Sequence, residues 1–368
     1  MTAESPAPPV PPQARLDPAA YAAARATMWT GSSVMITDPS LKVLIANVPY
    51  REKAVLIGGG VERAEAPFAA ARREAGEETG TDVAPGRLLA VDWVPINSDT
   101  AHKSAAYPGE LIFVFDGPTL TAGSLGELRP QIGEITSLEF VDPGDLATRL
   151  RPGDARRALA ALRARVDGTT AYLEDGHPHP PCALHEHDLL TGTPPAPATG
   201  RWHRRQTLPE ASRVRAVRGW VFARDGRVLL LHDPVSGQSF LPGGDLDADD
   251  LEHAPSALTR WSALTARTRP GRLQQLGYYL DTNDPNAGLN VRVVGALGTL
   301  NPSQPDPTGR HHVRLLASPE QAAELLRLGA AGLREAADAA EAAEDALTTP
   351  RARRSPVTEI PPGGTATA

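Results

Sequence analysis

Three glutamates at helical spacing are the residues of this sequence best suited to chemistry. From Gly59 the chain runs five residues to Glu65, seven more to Arg73, and then reads Glu74-Ala75-Gly76-Glu77-Glu78-Thr79-Gly80-Thr81. On a helix turning about 100° per residue, Glu74, Glu77 and Glu78 stand i, i+3 and i+4 and share a face. Phe68, Ala71 and Ala75 share the adjacent apolar one. Carboxylates gathered so closely repel unless a cation lies among them, and oxygen-only donors favour Mg²⁺ or Mn²⁺. Such ions neutralise a diphosphate, orient it and lower the pKa of an attacking water. Arg73 borders the cluster away from the alanine face, where it can pair with Glu65 and tie the helix to the preceding loop. Glycines just before it allow close backbone approach, so carbonyls can join a metal shell. A lone Glu-Glu pair is usually a solvated face; a solvated face does not explain Gly59, Glu65, Arg73, Glu74 and Gly80 at fixed spacings.

The elements around this helix must hold it in place. Pro67 suits a first helical turn, and Gly80 suits a left-handed stop. Upstream, 33–36 and 43–45 read as strands around the turn 38–42, followed by strand-like 54–57 and the glycines 58–60. Downstream come a strand candidate at 111–115 and an alanine-rich helix at 153–166. The plan then returns, with 219–222 and 228–231 around Asp225-Gly226, 239–241 before Gly243-Gly244, a strand at 291–297 and a helix at 318–346. Val43 to Gly58 and Val228 to Gly243 both span fifteen positions. An internal duplication follows; two unrelated α/β domains are the rival. The expected organisation is a disordered tail at 1–15, a domain at 16–176, a Pro/His-rich linker at 177–212, a second domain at 213–348 and a disordered tail at 349–368.

The segment 59–81 resembles the signature of the Nudix hydrolase family at every defined position except the last, where Thr81 replaces an aliphatic residue. The resemblance implies an α/β/α sandwich around a mixed sheet over 16–176. It further implies a pyrophosphohydrolase acting on a nucleoside diphosphate linked to another moiety (nucleotide, nucleotide sugar or ADP-ribose type), with Mg²⁺ or Mn²⁺ as cofactor. Carried over by position, Glu74 and Glu78 are metal ligands and Glu77 a further ligand or water-mediated contact. Glu74 is alternatively the base, the Gly58 carbonyl faces the metal, and Glu65 with Arg73 forms the orienting salt bridge. Departures are Ile57 for a common proline, Ala64 for a common glycine and Ala66 for a Ser/Thr cap, the last costing about 1 kcal/mol. For a base outside the signature, Glu134 is the first candidate and Glu110 the second. Trp93 and Tyr107 are candidates for stacking on a base, with sheet-face packing as the alternative.

From Gly244 the same spacing lands on Asp250, Leu258, Thr259, Ser262, Ala263 and Thr265, so the arginine and the helix glutamates are missing. No acidic residue lies between Glu252 and Asp281. This helix can pack through Leu258, Trp261 and Leu264. Together with Leu241-Pro242-Gly243-Gly244, it is similar to a degenerate Nudix domain with a structural, pairing or regulatory role. The expected fold class is two tandem α/β/α sandwiches with mixed sheets, the second catalytically degenerate.

Composition narrows the remaining classes. With 368 residues and a net charge of -7, the chain lacks the basic footprint of a nucleic-acid duplex binder. Cys182 is the one cysteine, so no intrachain disulfide forms. The Pro-rich start lacks a signal peptide's apolar core, and no apolar run is long enough to span a bilayer. A cytoplasmic protein acting on a small phosphorylated substrate is expected, with a homodimer left open. His177, His179, His185, His187 and His203 surround Cys182, but intervening prolines favour a solvated linker over a zinc site. Two other classes compete: a sensor that binds a nucleotide-linked ligand without cutting it, and a scaffold assembling through 318–346.

Overall fold

Alternation along β1 (Trp29–Thr37) sets the architecture. Val34 and Ile36 pack to one side and Met35 to the other, so each face of the sheet needs a covering layer. The computed structural model describes residues 17–98, 106–130, 133–180, 186–192, 194, 200–204, 207–209, 213–246, 253–280 and 288–363. The first half runs α1 (Pro18–Ala23), β1, β2 (Val43–Asn47), β3 (Val55–Leu56), β4 (Gly58–Gly60), α2 (Pro67–Thr79), β5 (Leu88–Val94) and β6 (Glu110–Thr119). It continues with α3 (Ala122–Leu125), β7 (Ser137–Val141), a 3₁₀ turn at Pro143–Asp145, α4 (Leu146–Arg149), α5 (Pro152–Asp167), β8 (Ala171–Glu174) and β9 (His177–Pro178). The strands form one mixed sheet in the order β3-β2-β1-β6-β5-β8-β9, with β4 also on β1 and β7 also on β2. Ala71 and Ala75 press α2 onto Val34 and Ile36, while Ala158 and Leu162 of α5 join Met35 and Leu89 on the opposite face.

The second half repeats this plan with α6 (Glu186–Thr191), β10 (Arg201–Arg204), β11 (Val214–Phe222), β12 (Val228–Asp233), β13 (Gln238–Phe240), β14 (Gly243–Asp245) and α7 (Ala254–Thr265). Then come β15 (Gly271–Leu280), β16 (Leu289–Ala296), β17 (Val313–Ala317), α8 (Pro319–Leu325), α9 (Gly329–Leu347) and β18 (Thr358–Ile360). The parallel pair β11–β16 matches β1–β6, and β17 lies on β12 as β7 lies on β2. Gly58 sits opposite Ser33 with φ 144°, and Gly243 opposite Arg218 with φ 145°. In both places a Cβ would come within 2.2 Å of a β1 or β11 carbonyl oxygen, so glycine is obligatory. The chain is thus two tandem sandwiches with mixed sheets.

Three stretches depart from expectation. The stretch read as a linker contributes β9 to the first sheet and β10 to the second, because each sheet otherwise has an open edge there. The stretch read as a terminal tail places β18 against β17. The single helix expected at 318–346 is broken into α8 and α9, where Arg327 and Gly329 take φ values of 50° and 65°. Residues 1–15 lie outside the described residues.

The halves share one core, and a single apolar cluster runs from Leu146, Leu150 and Leu162 to Ala322, Leu325 and Leu326. Polar ties reinforce it: Arg327 to Asp142 at 2.6 Å, and Gln321 Nε2 to the Val166 carbonyl at 2.8 Å. Among the described residues no helix is long and apolar enough to cross a membrane.

Candidate active site

The acids of α2 are presented unequally. Burial of Ala70, Ala71 and Ala75 rotates the helix so that Glu78 is only 9% exposed, and its Oε2 accepts the Gly58 N–H at 2.7 Å. Glu74 lies across Gly59, where an added Cβ would stand 2.5 Å from the carboxyl carbon. Arg73 meets Glu65 through Nε at 3.0 Å and Nη2 at 2.9 Å, the expected pair. It also reaches Glu74 at 2.8 Å, Glu77 at 3.4 Å and the Gly60 carbonyl at 3.1 Å. One guanidinium therefore locks helix to loop and offsets part of the charge of the outer acids. Ala66 provides no side-chain cap, and Gly80 ends the helix with φ 70°.

Burial pushes the Glu78 carboxyl up to about 8; the Gly58 N–H opposes this, and the charges of Glu74, Glu134 and Glu77 add to it. Burial likewise raises Glu74, whereas the hydrogen bond from Arg73 holds Glu65 below the usual carboxylate range. Among the described residues no three His, Cys, Asp or Glu side chains are already gathered to hold a metal ion. Glu74 and Glu77 lean to Arg73 while Glu78 turns beneath Gly58. The donor set nonetheless fits a hard divalent ion. It is all oxygen, and Glu78 is buried with no cationic partner among the described residues.

A cavity of about 340 Å³ opens beside Glu78, bounded by the glycines of β4 and by Ser33, Tyr50, Arg51, Glu110, Asp154 and Arg157. Glu134 is exposed in the turn before β7, close enough for its charge to be felt at Glu78. Glu110, partly buried on the cavity wall, has its carboxyl raised by that burial. Neither proposed stacking residue lines the cavity. Tyr107 is 4% exposed and packs edge-on against Trp29 at 5.4 Å, so it offers no ring face to a base. Trp93 is 39% exposed, but on β5 it alternates with Asp92, which faces the cavity side through Arg157. Sequence reasoning missed Arg157, whose Nε meets Asp92 Oδ2 at 2.7 Å across 65 positions. Its one local signal is an arginine among the buried alanines of α5. Of the histidine group, His203 stacks on Tyr278 in β10, while Cys182 and His185 lie outside the described residues.

A family model described as the NUDIX domain matches residues 29–162. Residues 29–162 thus carry a NUDIX domain. No curated protein matches the chain. Among solved structures, the MutT protein from Methanosarcina mazei Go1 is 18% identical, covering 38% of this chain and 95% of its own, with a TM-score of 0.30. An ADP-ribose pyrophosphatase from Streptococcus suis 89-1591 is also 18% identical, covering 40% and 99%, at 0.31. A UDP-X diphosphatase is 21% identical, covering 43% and 76%, at 0.32.

Outside the Nudix domain, the second helix lies in a different register from the one its spacing suggests. The N-cap and the left-handed stop are Ala66 and Gly80 in α2; His253 and Arg267, with φ 56°, correspond to them around α7. Both pairs are fourteen apart (80 − 66 and 267 − 253), but Gly244 to His253 is nine against seven for Gly59 to Ala66. The loop is therefore two residues longer, which moves Arg260 to the position of Arg73, Trp261 to that of Glu74 and Thr265 to that of Glu78. The expected loss of the arginine is corrected; the loss of the acids stands. Trp261 covers Gly244, where a Cβ would meet the indole at 2.1 Å, as Glu74 covers Gly59.

Gly59→Ala is expected to displace the flexible Glu74 carboxylate rather than the backbone. Activity should fall by on the order of 10²-fold with little change in melting temperature, checked by paired assays and thermal unfolding. Unchanged turnover would mean that the position of Glu74 is unimportant.

Proposed function

We propose that the Nudix domain hydrolyses the diphosphate linkage of a nucleoside diphosphate joined to another moiety, with Mg²⁺ or Mn²⁺ held by Glu74, Glu77, Glu78 and the Gly58 carbonyl. The observation that carries this reading is Glu78, a buried carboxylate held by one backbone N–H, with no cationic partner among the described residues and two further acids on its helix. When bound, a divalent ion supplies neutralisation of the diphosphate and acidification of water. Arg73, braced by Glu65 and the Gly60 carbonyl, keeps α2 and β4 in register so that Glu74 and Glu78 retain their places. We assign Glu134 as the base that takes a proton from water. Its exposed carboxylate comes from outside the helix, and its charge reaches Glu78. The second half is assigned as a degenerate Nudix copy with a structural role, supported by the repeated strand plan and by Trp261 in the place of an acid.

The test is release of nucleoside monophosphate by full-length protein from a panel of triphosphates, nucleotide sugars, ADP-ribose and dinucleoside polyphosphates, with and without Mg²⁺. Cleavage of none of them, or cleavage indifferent to chelation, would reject the proposal. A linked expectation follows from Glu78. Its folded value of about 8 lies above the ordinary 4.5, so the metal-free protein keeps the associated stability below pH 4.5 and loses it as pH rises through about 8. A divalent ion favours the carboxylate, so the Mg²⁺-induced rise in melting temperature should be larger at pH 8 than at pH 5. Equal shifts at both pH values would disconnect Glu78 from the metal.

A further inference from the structure

The last stretch of the chain touches both halves. Past α9, which stops at Thr348 with φ 60°, residues 349–357 run without regular structure to β18, the strand that pairs with β17 in the second sheet. On the way they cross the C-terminal end of α5, in the first half. Arg354 donates from Nη1 to the Val166 carbonyl at 3.0 Å, while its Nη2 meets Glu324 and Glu320 of α8, each at 2.9 Å. One guanidinium thus bridges the halves. Its stem lies over Gly168, where an added Cβ would stand 3.3 Å from Arg354 Cγ. Three residues on, the Val357 N–H goes to Asp167 Oδ1 at 3.2 Å. The Val357 side chain, 4% exposed, enters the apolar cluster that holds Leu162 and Leu325. Buried Gln321 of α8 joins them, donating through Nε2 to the carbonyls of Val166 and Ser355 at 2.8 and 2.7 Å.

These contacts are costly to undo. The last carbonyls of a helix have no partner within it and carry the negative end of its dipole, so a cation is favoured there. The Glu324 side chain is 12% exposed; burial pushes its carboxyl up, and the hydrogen bond from Arg354 opposes that. Loss of Arg354 would therefore strip a partner from a nearly buried carboxylate of one half and from a helix end of the other. The far end of the segment is anchored as well. Arg314, 2% exposed and with no carboxylate partner among the described residues, gives Nη1 to the Asn301 carbonyl at 2.7 Å and Nη2 to the carbonyls of Pro361 and Pro362, each at 3.3 Å. Covering the edge of β17 needs only residues 358–360. That role leaves the bonds of Arg354 and Val357 to α5 unexplained.

We infer that residues 349–362 are a clasp that makes the two halves unfold as one body. The shared apolar cluster brings the halves together, and the clasp closes its edge with polar bonds to both. The second half thereby gains a hold on the Nudix domain. The inference does not depend on what that domain cleaves.

The test is scanning calorimetry of the full-length protein. Wild type should melt in one transition whose van't Hoff and calorimetric enthalpies agree. Arg354→Ala combined with Val357→Ser should split it into two, about 5 °C or more apart. Glu335→Ala, a loss of stability elsewhere in the second half, should lower a single transition without splitting it. Native-state hydrogen exchange of the milder single variant Arg354→Ala gives a second reading that does not require the double variant to fold. The slowest amides of β1 and β12 should open together in wild type and differ by about tenfold or more in Arg354→Ala. Two transitions in wild type, one in the double variant, splitting in Glu335→Ala, or matched exchange in Arg354→Ala would each overturn the inference.

Discussion

Glu78→Gln is expected to lower Mg²⁺-dependent turnover on the order of 10²- to 10³-fold, the size seen when one charge-stabilising group is taken from a reaction centre. The amide keeps an oxygen to accept the Gly58 N–H, which Glu78 now takes at 2.7 Å, so the local geometry has reason to survive. What it loses is the negative charge. The same change should leave the metal-free protein as stable as wild type at pH 5 and more stable at pH 8, because the wild-type carboxyl, raised to about 8 by burial, is there forced to ionise without a cation. Loss of function with gain of stability is the mark of a site held at a cost. Steady-state kinetics and thermal melts at the two pH values check both halves. Wild-type turnover in the variant would remove Glu78 from the reaction.

The second large effect lies in the second half. Glu335 of α9 is fully buried and accepts Trp220 Nε1, Arg292 Nε and Tyr279 Oη, each at 2.7 Å. Glu335→Ala would leave the buried Arg292 unpaired and two ring donors unsatisfied, a loss of about 3–5 kcal/mol. Because one apolar cluster joins the halves, the melting transition of the Nudix domain should fall with it. Activity per folded molecule should hold at temperatures below the new transition. The double change Glu335→Leu with Arg292→Met should recover part of the loss, since well-packed apolar residues often replace a buried ion pair. Urea unfolding of the three proteins measures this; a loss under about 1 kcal/mol for Glu335→Ala would mean that α9 is held by packing.

The sequence was most informative where the chemistry is local. Glu65, Arg73 and the glutamates of α2 lie within one loop and one helix, so their spacing carries their geometry, and Gly58 and Gly243 declare their backbone by residue type. Paired features were harder to read. Asp92 and Arg157 meet only because β5 and α5 pack, and β10 and β18 exist because a sheet edge was available to them. Tyr107 illustrates the same limit, because its ring is committed to Trp29 by tertiary packing. In the second half a fixed spacing misplaced the helix, since a loop can lengthen by two residues without disturbing the strands on either side.

Trp261 on Gly244 has a consequence for what the chain can become. The indole N–H finds no partner among the described residues, yet the ring fills its place. Trp261→Glu alone would trade that filler for a carboxylate with Arg260 alongside, and Thr265→Glu alone would place a lone charge at a half-buried position. Either single step runs downhill in stability, and neither yields a working cluster until the other is made. The second half is thus separated from an acidic cluster by a valley between two good states rather than by the distance between them.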